Sequence, residues 1–94
     1  MGKQHWMQRL AGAAELYDEA FPGMPLVEIA GGNRVLVEYH EGVTAYSPEQ
    51  IRVKVSDGEV EITGEGLQIA VMCREKLVIS GVIQRVALNR RDGA

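Results

Sequence analysis

Cysteine, long apolar runs and clustered positive charge are all scarce in this sequence of 94 residues. Cys73 is its one cysteine, so no intramolecular disulfide can form, and we expect a reducing compartment. No apolar run approaches the roughly 18 residues of a membrane-spanning helix, and we recognise no secretory signal. Ten basic against thirteen acidic residues give a net charge of −3, which argues against nucleic acid as the partner.

Clusters of metal ligands, phosphate-binding loops and catalytic groups are missing as well. The two histidines, His5 and His40, lie far from each other and from Cys73, and this spacing matches no metal site. No Gly-rich phosphate-binding motif interrupts the chain either. From the residues alone we therefore expect no catalytic residues, no metal and no cofactor, and the function stays open.

Alternating apolar and polar residues fill the chain from Leu26 to Leu88. This period of two predicts short β-strands in a sheet with one buried and one solvated face. Four of the runs begin sixteen residues apart, at Val35, Ile51, Leu67 and Ile83. We expect a mainly β fold, a curled antiparallel meander or roll of about seven short strands with one N-terminal helix. The regular spacing leaves a short β-solenoid as the alternative.

The pair Asp57-Gly58 between two alternating runs predicts a two-residue type I′ hairpin, because both positions of that turn need φ > 0. The register that follows from this turn pairs Val55 with Val60, Val53 with Ile62 and Lys54 with Glu61. Apolar pairs would then share one face and an opposite-charge pair the other. The further glycines that we expect at structural turns are Gly42, Gly64 and Gly81.

The chain divides into three parts by its residue pattern. Residues 1–24 predict an N-terminal helix and linker, with a helical stripe of Trp6, Leu10 and Tyr17 that ends before Pro22-Gly23. Residues 25–89 form the predicted β domain, and residues 90–94 a polar tail. Gly12 and a charge order opposed to the helix dipole would make the helix unstable unless its apolar stripe docks on another surface.

Three apolar residues near the end of the chain break the solvated face of the predicted sheet. If Leu67 and Ile69 point inward, Ala70 and Met72 point outward, and Val78 on the following strand does so too. We take Ala70, Met72 and Val78 as the candidate interaction surface. Either the N-terminal helix or a partner protein would cover it, and the matching stripe on the helix favours the helix.

Three groups of polar residues invite a catalytic interpretation, and we favour a structural one for each. His40 and Glu41 are neighbours near a strand end, where adjacent side chains point to opposite faces. Cys73 continues an inward row, and a buried thiol is inert. Glu59, Glu61 and Glu65 lie close together in the sequence. We expect Glu59 and Glu61 on the solvated face opposite Arg52 and Lys54, which suits ion pairing better than glycoside hydrolysis.

Three stretches of the chain carry a resemblance to a known family. They read PLVEIAGGNRVLVEYHEGV from Pro25, YSPEQIRVKVSDGEVEITGEGLQI from Tyr46 and REKLVISGVIQRV from Arg74. In order and spacing they resemble the YabP/YqfC family of sporulation proteins, and the preceding helix and the chain length fit as well. The resemblance implies a small protein of the mother cell that contributes to engulfment or to later spore development, including coat or cortex assembly. It brings no catalytic residue set with it.

The resemblance supports a non-enzymatic accessory or assembly factor for spore development. Its implied partner is a membrane protein of the sporulation programme, its implied location the mother-cell cytoplasm or the periphery of the forespore membrane, and a homo-oligomer through strand edges stays open. One alternative is a small-ligand-binding β-roll, which predicts a cavity above about 300 Å³ inside the curl. A cell-wall-related enzyme that uses His40 or Cys73 is the less favoured alternative.

Overall fold

The computed structural model describes residues 24–91, which form one sheet of six strands. The strands are β1 (Leu26–Ala30), β2 (Arg34–Glu38), β3 (Val43–Tyr46), β4 (Gln50–Val55), β5 (Gly58–Met72) and β6 (Lys76–Arg90). Their order is β1-β2-β6-β5-β4-β3, and every neighbouring pair is antiparallel. The predicted antiparallel β fold is confirmed, and the solenoid alternative is wrong because its coils would stack strands in parallel. The predicted helix and its docking lie outside the described residues.

Two strands are much longer than the sequence predicts. Each of β5 and β6 has fifteen residues, because runs predicted as separate strands continue through their glycines. The two form a long hairpin that is shared by both halves of the sheet. Strand β4 pairs with β5 over residues 58–63, whereas β2 pairs with β6 over residues 76–80. The six strands thus take the place of about seven shorter ones.

Gly64 and Gly81, predicted at turns, lie inside β5 and β6, so this part of the prediction is wrong. The β5–β6 register shifts between Thr63 and Gly64 and twice more before Val71. At Gly64 the two backbones approach so closely that a Cβ would lie 1.9 Å from the carbonyl oxygen of Val82. Gly81 has a φ of 133°, a conformation that side chains disfavour. These glycines permit bulges within strands and not chain reversals.

The core lies inside the curl of the sheet. Side chains of β2 and β4, which do not pair with each other, meet in one cluster with residues of β5 and β6. Its buried members are Val35, Val37, Ile51, Val53, Val55, Val60, Ile62, Leu67, Leu77 and Ile79. The alternation of buried and exposed residues along β4 is the predicted pattern of one apolar and one polar face.

The β4–β5 turn consists of Ser56 and Asp57, because Val55 pairs with Gly58. Positive φ occurs at Gly58, and Tyr39 is the one described residue other than glycine that has it, so the type I′ assignment is wrong. The pairing is displaced by two residues from the prediction, and Val53 lies opposite Val60. A shift by two keeps every side chain on its predicted face, which is why the face prediction holds although the register does not.

The backbone at Tyr39 sets the end of β2, and the end of β6 differs from the prediction. Strand β2 ends at Glu38, because Tyr39 takes a φ of 63° that no strand accommodates. Gly42, with a φ of 121°, lies in the following turn. At the other end of the domain β6 continues to Arg90, which pairs with Gly58, so the predicted polar tail begins one residue too early.

Candidate interaction surface

The three residues predicted as an outward apolar surface do not share one face. A register shift between Ile69 and Val71 pairs Val71 with Val78 and places Met72 opposite the core residue Leu77. Val78 is only 1% exposed. It cannot contribute to an exposed surface, and Val71 takes its place. Val71 points outward because β5 has a bulge between Ile69 and Val71, whereas Val78 points away from Leu77 and Ile79 as predicted and is nevertheless buried.

Exposed apolar side chains nevertheless gather where β5 ends. Ala70 is exposed, Val71 is 39% exposed and Met72 is 53% exposed. Within residues 24–91, the edge of β5 from Gln68 to Met72 that faces away from β6 pairs with no other strand. We call residues 70–75 the hairpin tip. It combines apolar side chains with unpaired backbone groups, the two features that protein-binding strand edges share.

His40 anchors the hairpin tip to the turn between β2 and β3. Its Nδ1 accepts a hydrogen bond from the backbone N–H of Gly42 at 3.1 Å, and its Nε2 lies 2.9 Å from the carbonyl oxygen of Cys73. A carbonyl only accepts, so Nε2 carries the proton and the ring is the neutral tautomer. The N–H of Tyr39 also donates to the carbonyl oxygen of Glu75 at 2.7 Å. The expectation that His40 is merely a polar turn residue therefore missed its structural role.

Cys73 is exposed, and the expectation that it ends an inward row is wrong. The strand stops at Met72, and the bulge at Ala70 changes the phase of the alternation before it. Its carbonyl oxygen, and not its thiol, makes the contact with His40. Among residues 24–91, no three histidine, cysteine or acidic side chains are grouped so that they could hold a metal ion.

The predicted ion-paired face is present on β4 and β5. Arg52 lies 3.3 Å from Glu59 and 3.9 Å from Glu61, and Nζ of Lys54 lies 2.8 Å from Oε1 of Glu41. The hydrogen bond and the charge of Lys54 lower the pKa of the Glu41 carboxyl group below its ordinary value. These carboxylates are partly or fully exposed, which is typical of a solvated charged surface.

Two grooves border the sheet. The first, of about 260 Å³, lies at the mouth of the curl between the starts of β1 and β5 and the end of β6, with Met24, Val60 and Leu88 in its lining. The second, of about 530 Å³, lies on the charged outer face along Arg52 and Lys54. The ligand-carrier alternative predicted a cavity above about 300 Å³ inside the curl, and the inner groove is smaller than that.

The YabP family matches residues 25–94, which is well over half of the chain. The chain belongs to the YabP family. A curated relative, the "Uncharacterized protein YqfC" of Bacillus subtilis (strain 168), is 24% identical over 81 residues, which cover 86% of this chain and 84% of the relative. No solved structure gives a significant match. The resemblance to the YabP/YqfC family is thus confirmed.

The YabP-family region coincides with the described sheet. The match begins at Pro25, one residue before β1 starts at Leu26. The candidate interaction surface and the charged face therefore both belong to the family region. Within the part of the chain that the structure describes, no helix has the length and hydropathy needed to cross a membrane.

The sequence reasoning missed Val71 and the anchoring role of His40. The signal for the first was available, because a glycine inside an alternating run, such as Gly64 or Gly66, often marks a bulge that changes the phase. The second had no local signal. His40 and Cys73 are 33 residues apart, and only the folded sheet brings them together.

Proposed function

We propose that this YabP-family protein is a non-enzymatic sporulation protein that acts in the mother cell as an accessory or assembly factor. It binds a membrane protein of the sporulation programme through the hairpin tip and works in the mother-cell cytoplasm, at the periphery of the forespore membrane. Family membership supports the link to sporulation. The geometry of the hairpin tip supports the mode of binding.

The exposed apolar hairpin tip is the observation that carries the proposal. Val71 and Met72 present apolar surface beside the unpaired edge of β5. A partner segment that adds a strand to this edge would gain backbone hydrogen bonds and bury these side chains at the same time. The two contacts of the His40 ring fix the tip before binding, so that little conformational entropy is lost on association.

The role of His40 also supports a function without catalysis. Both of its ring nitrogens are engaged by backbone groups, the N–H of Gly42 and the carbonyl oxygen of Cys73. A general base must offer a free nitrogen to the substrate, and this imidazole would have to break a structural contact to do so. The arrangement is that of a positioning residue for the tip.

The experiment compares a photo-crosslinking amino acid at Met72 with the same amino acid at Val82. Both side chains are exposed to a similar extent, 53% and 54%, but Val82 lies outside the hairpin tip. In sporulating cells we expect Met72 to crosslink to a protein of the membrane fraction and Val82 not to do so. Met72→Glu should lower sporulation efficiency, whereas Val82→Glu should not. Equal crosslinking at both positions, or normal sporulation with Met72→Glu, would refute the proposal.

A second comparison addresses the enzyme alternative. Cys73→Ala, confirmed to fold and to accumulate normally, should sporulate near the level of the wild type. A strong defect in a folded Cys73→Ala variant would contradict a non-enzymatic function, because removal of an exposed thiol disturbs no core packing.

A further inference from the structure

The edge of β6 from Gln84 to Arg90 faces away from β5 and carries no strand in the described part of the chain. Strand β2 pairs with β6 only as far as Ser80. The carbonyl oxygen of Gly32 then accepts a hydrogen bond from the N–H of Ile83 at 2.9 Å. Beyond Ile83, no strand of the described residues pairs with this edge of β6. We call residues 84–90 the free edge of β6. It lies at the opposite end of the hairpin from the tip.

The hydrogen-bond pattern determines which backbone groups point outward along this edge. The N–H of Arg91 donates to the carbonyl oxygen of Asp57 at 2.8 Å, so these two residues form a hydrogen-bonded pair. Along an antiparallel ladder, hydrogen-bonded pairs alternate with pairs that are not hydrogen-bonded, whose N–H and C=O groups point away from the partner strand. With Val60 opposite Leu88 and Ile62 opposite Val86, the N–H and C=O groups of Val86 and Leu88 must therefore point away from β5.

The free edge of β6 is less protected than the outer edges of β1 and β3. Strand β3 has four residues, contains a register shift and is followed closely by Pro48, and β1 has five residues directly after Pro25. Short strands, bulges and proline are the usual protections of a strand edge. The free edge of β6 has no proline, and its Leu88 is 61% exposed.

We propose that two copies of this protein pair antiparallel along the free edge of β6, with Ala87 on the two-fold axis. Val86 of each copy then lies opposite Leu88 of the second copy, and each such pair exchanges both of its N–H···O bonds. The apolar side chains of these pairs cover one another on the core-facing side. The small Ala87 side chain allows the strands to meet at the axis without a clash.

Charge on the outer face favours this occupant and this register. Glu59 and Glu61 share one cation, Arg52, and Oε2 of Glu59 is enclosed yet accepts no hydrogen bond from a described residue, although Nε of Arg52 is 3.3 Å away. In the proposed register Arg85 lies opposite Asn89 of the second copy, whose own neighbour across the ladder is Glu59. The long Arg85 side chain can thus approach the Glu59 carboxylate of the second copy.

Neighbouring registers lack this complementarity. If the second copy were shifted by two residues so that Arg85 lay opposite its Arg91, two like charges would face each other. A shift in the other direction would place Leu88 opposite the polar Gln84. The self-complementary order of residues 84–90 therefore selects both the partner, a second copy of this chain, and the alignment. The inference is independent of the function proposed for the hairpin tip.

Analytical ultracentrifugation of the full chain tests the dimer. Over protein concentrations up to about 100 µM, we expect a monomer–dimer equilibrium with a dissociation constant below about 100 µM. Leu88→Glu should raise this dissociation constant at least about tenfold. Val82→Glu, which alters an equally apolar and exposed side chain of the same strand outside the pairing, should change the dissociation constant less than about twofold. A monomer throughout this range, or equal effects of the two variants, would overturn the proposal.

Oxidative crosslinking tests the register. In a Cys73→Ser background, Ala87→Cys should form a disulfide between copies, because the Cα atoms of a pair that is not hydrogen-bonded lie about 4.5 Å apart, within disulfide range. Asn89→Cys lies on the same face and edge but opposite Arg85, and should not crosslink. Crosslinking through Asn89→Cys and not Ala87→Cys would refute the alignment.

Discussion

Gly64→Ala should be among the most destabilising single-methyl additions in this protein. Gly64 is buried inside β5, where a Cβ would lie 1.9 Å from the carbonyl oxygen of Val82 and 3.2 Å from Cδ2 of Leu67. Real Cβ atoms keep at least 3.0 Å from such neighbours, so the two strands must separate by about 1.1 Å, the difference of the two distances. The obstacle is backbone, which cannot rotate away as a side chain does.

The free-energy loss follows from this displacement. Overpacking in a well-packed region costs about 1 to 3 kcal/mol, and weakening of the adjoining ladder hydrogen bonds adds about 1 kcal/mol. We therefore expect a loss of about 3 kcal/mol in the free energy of unfolding. For a domain of this size that loss lowers Tm by about 12 to 24 °C.

Urea denaturation followed by circular dichroism measures the loss, with Gly32→Ala as the matched control. A Cβ at Gly32 meets nothing within 4 Å, and its φ is not in the left-handed region, so its free energy of unfolding should change by less than about 0.5 kcal/mol. If Gly64→Ala unfolds at the same urea concentration as Gly32→Ala, the close approach of β5 and β6 at this glycine is refuted.

Two further predictions concern the turn between β2 and β3. His40→Ala should lower the free energy of unfolding by about 1 to 2 kcal/mol, because the N–H of Gly42 and the carbonyl oxygen of Cys73 each lose a partner. An unchanged urea midpoint would refute the anchoring role. The pKa of Glu41 in the folded protein is lowered by Lys54, so this carboxylate stabilises the fold above its unfolded pKa, and the stabilisation disappears as the pH falls through the folded pKa. In an NMR titration Lys54→Met should raise the Glu41 midpoint, and a constant midpoint would contradict the ion pair.

The alternation of apolar and polar residues predicted most of the fold correctly. Val35, Ile51 and Leu67, which begin three of the predicted runs, are all buried in the core. A strand that buries one face places its apolar residues on alternate positions, so this pattern can be recognised in a short stretch of sequence. The order and spacing of these runs also predicted the family correctly.

The candidate interaction surface was predicted only in part. Ala70 and Met72 are exposed as expected, whereas Val78 is buried and Val71 was overlooked. The bulge between Ile69 and Val71 accounts for Val71, because one extra residue turns the later side chains of β5 to the other face. Val78 on β6 points away from the core residues Leu77 and Ile79, as predicted, but it lies between Leu36 and Val71 of the neighbouring strands and is buried. A glycine inside an alternating run signals that a bulge can form, but the position of the bulge also depends on the neighbouring strand.

The amino-acid sequence by itself determined that this chain forms a sheet with an apolar face, because alternation is a property of consecutive residues. The antiparallel pairing of all neighbouring strands, against a solenoid, was decided by the tertiary structure. The tertiary structure decided the register of β4 on β5, the fusion of short runs into β5 and β6, and the contact of His40 with Cys73. Alternation leaves the register open to shifts by two residues, since each such shift keeps the faces unchanged. The closure of the curl around one core, in which β4 packs against β2 as well as β5 and β6, selects among them.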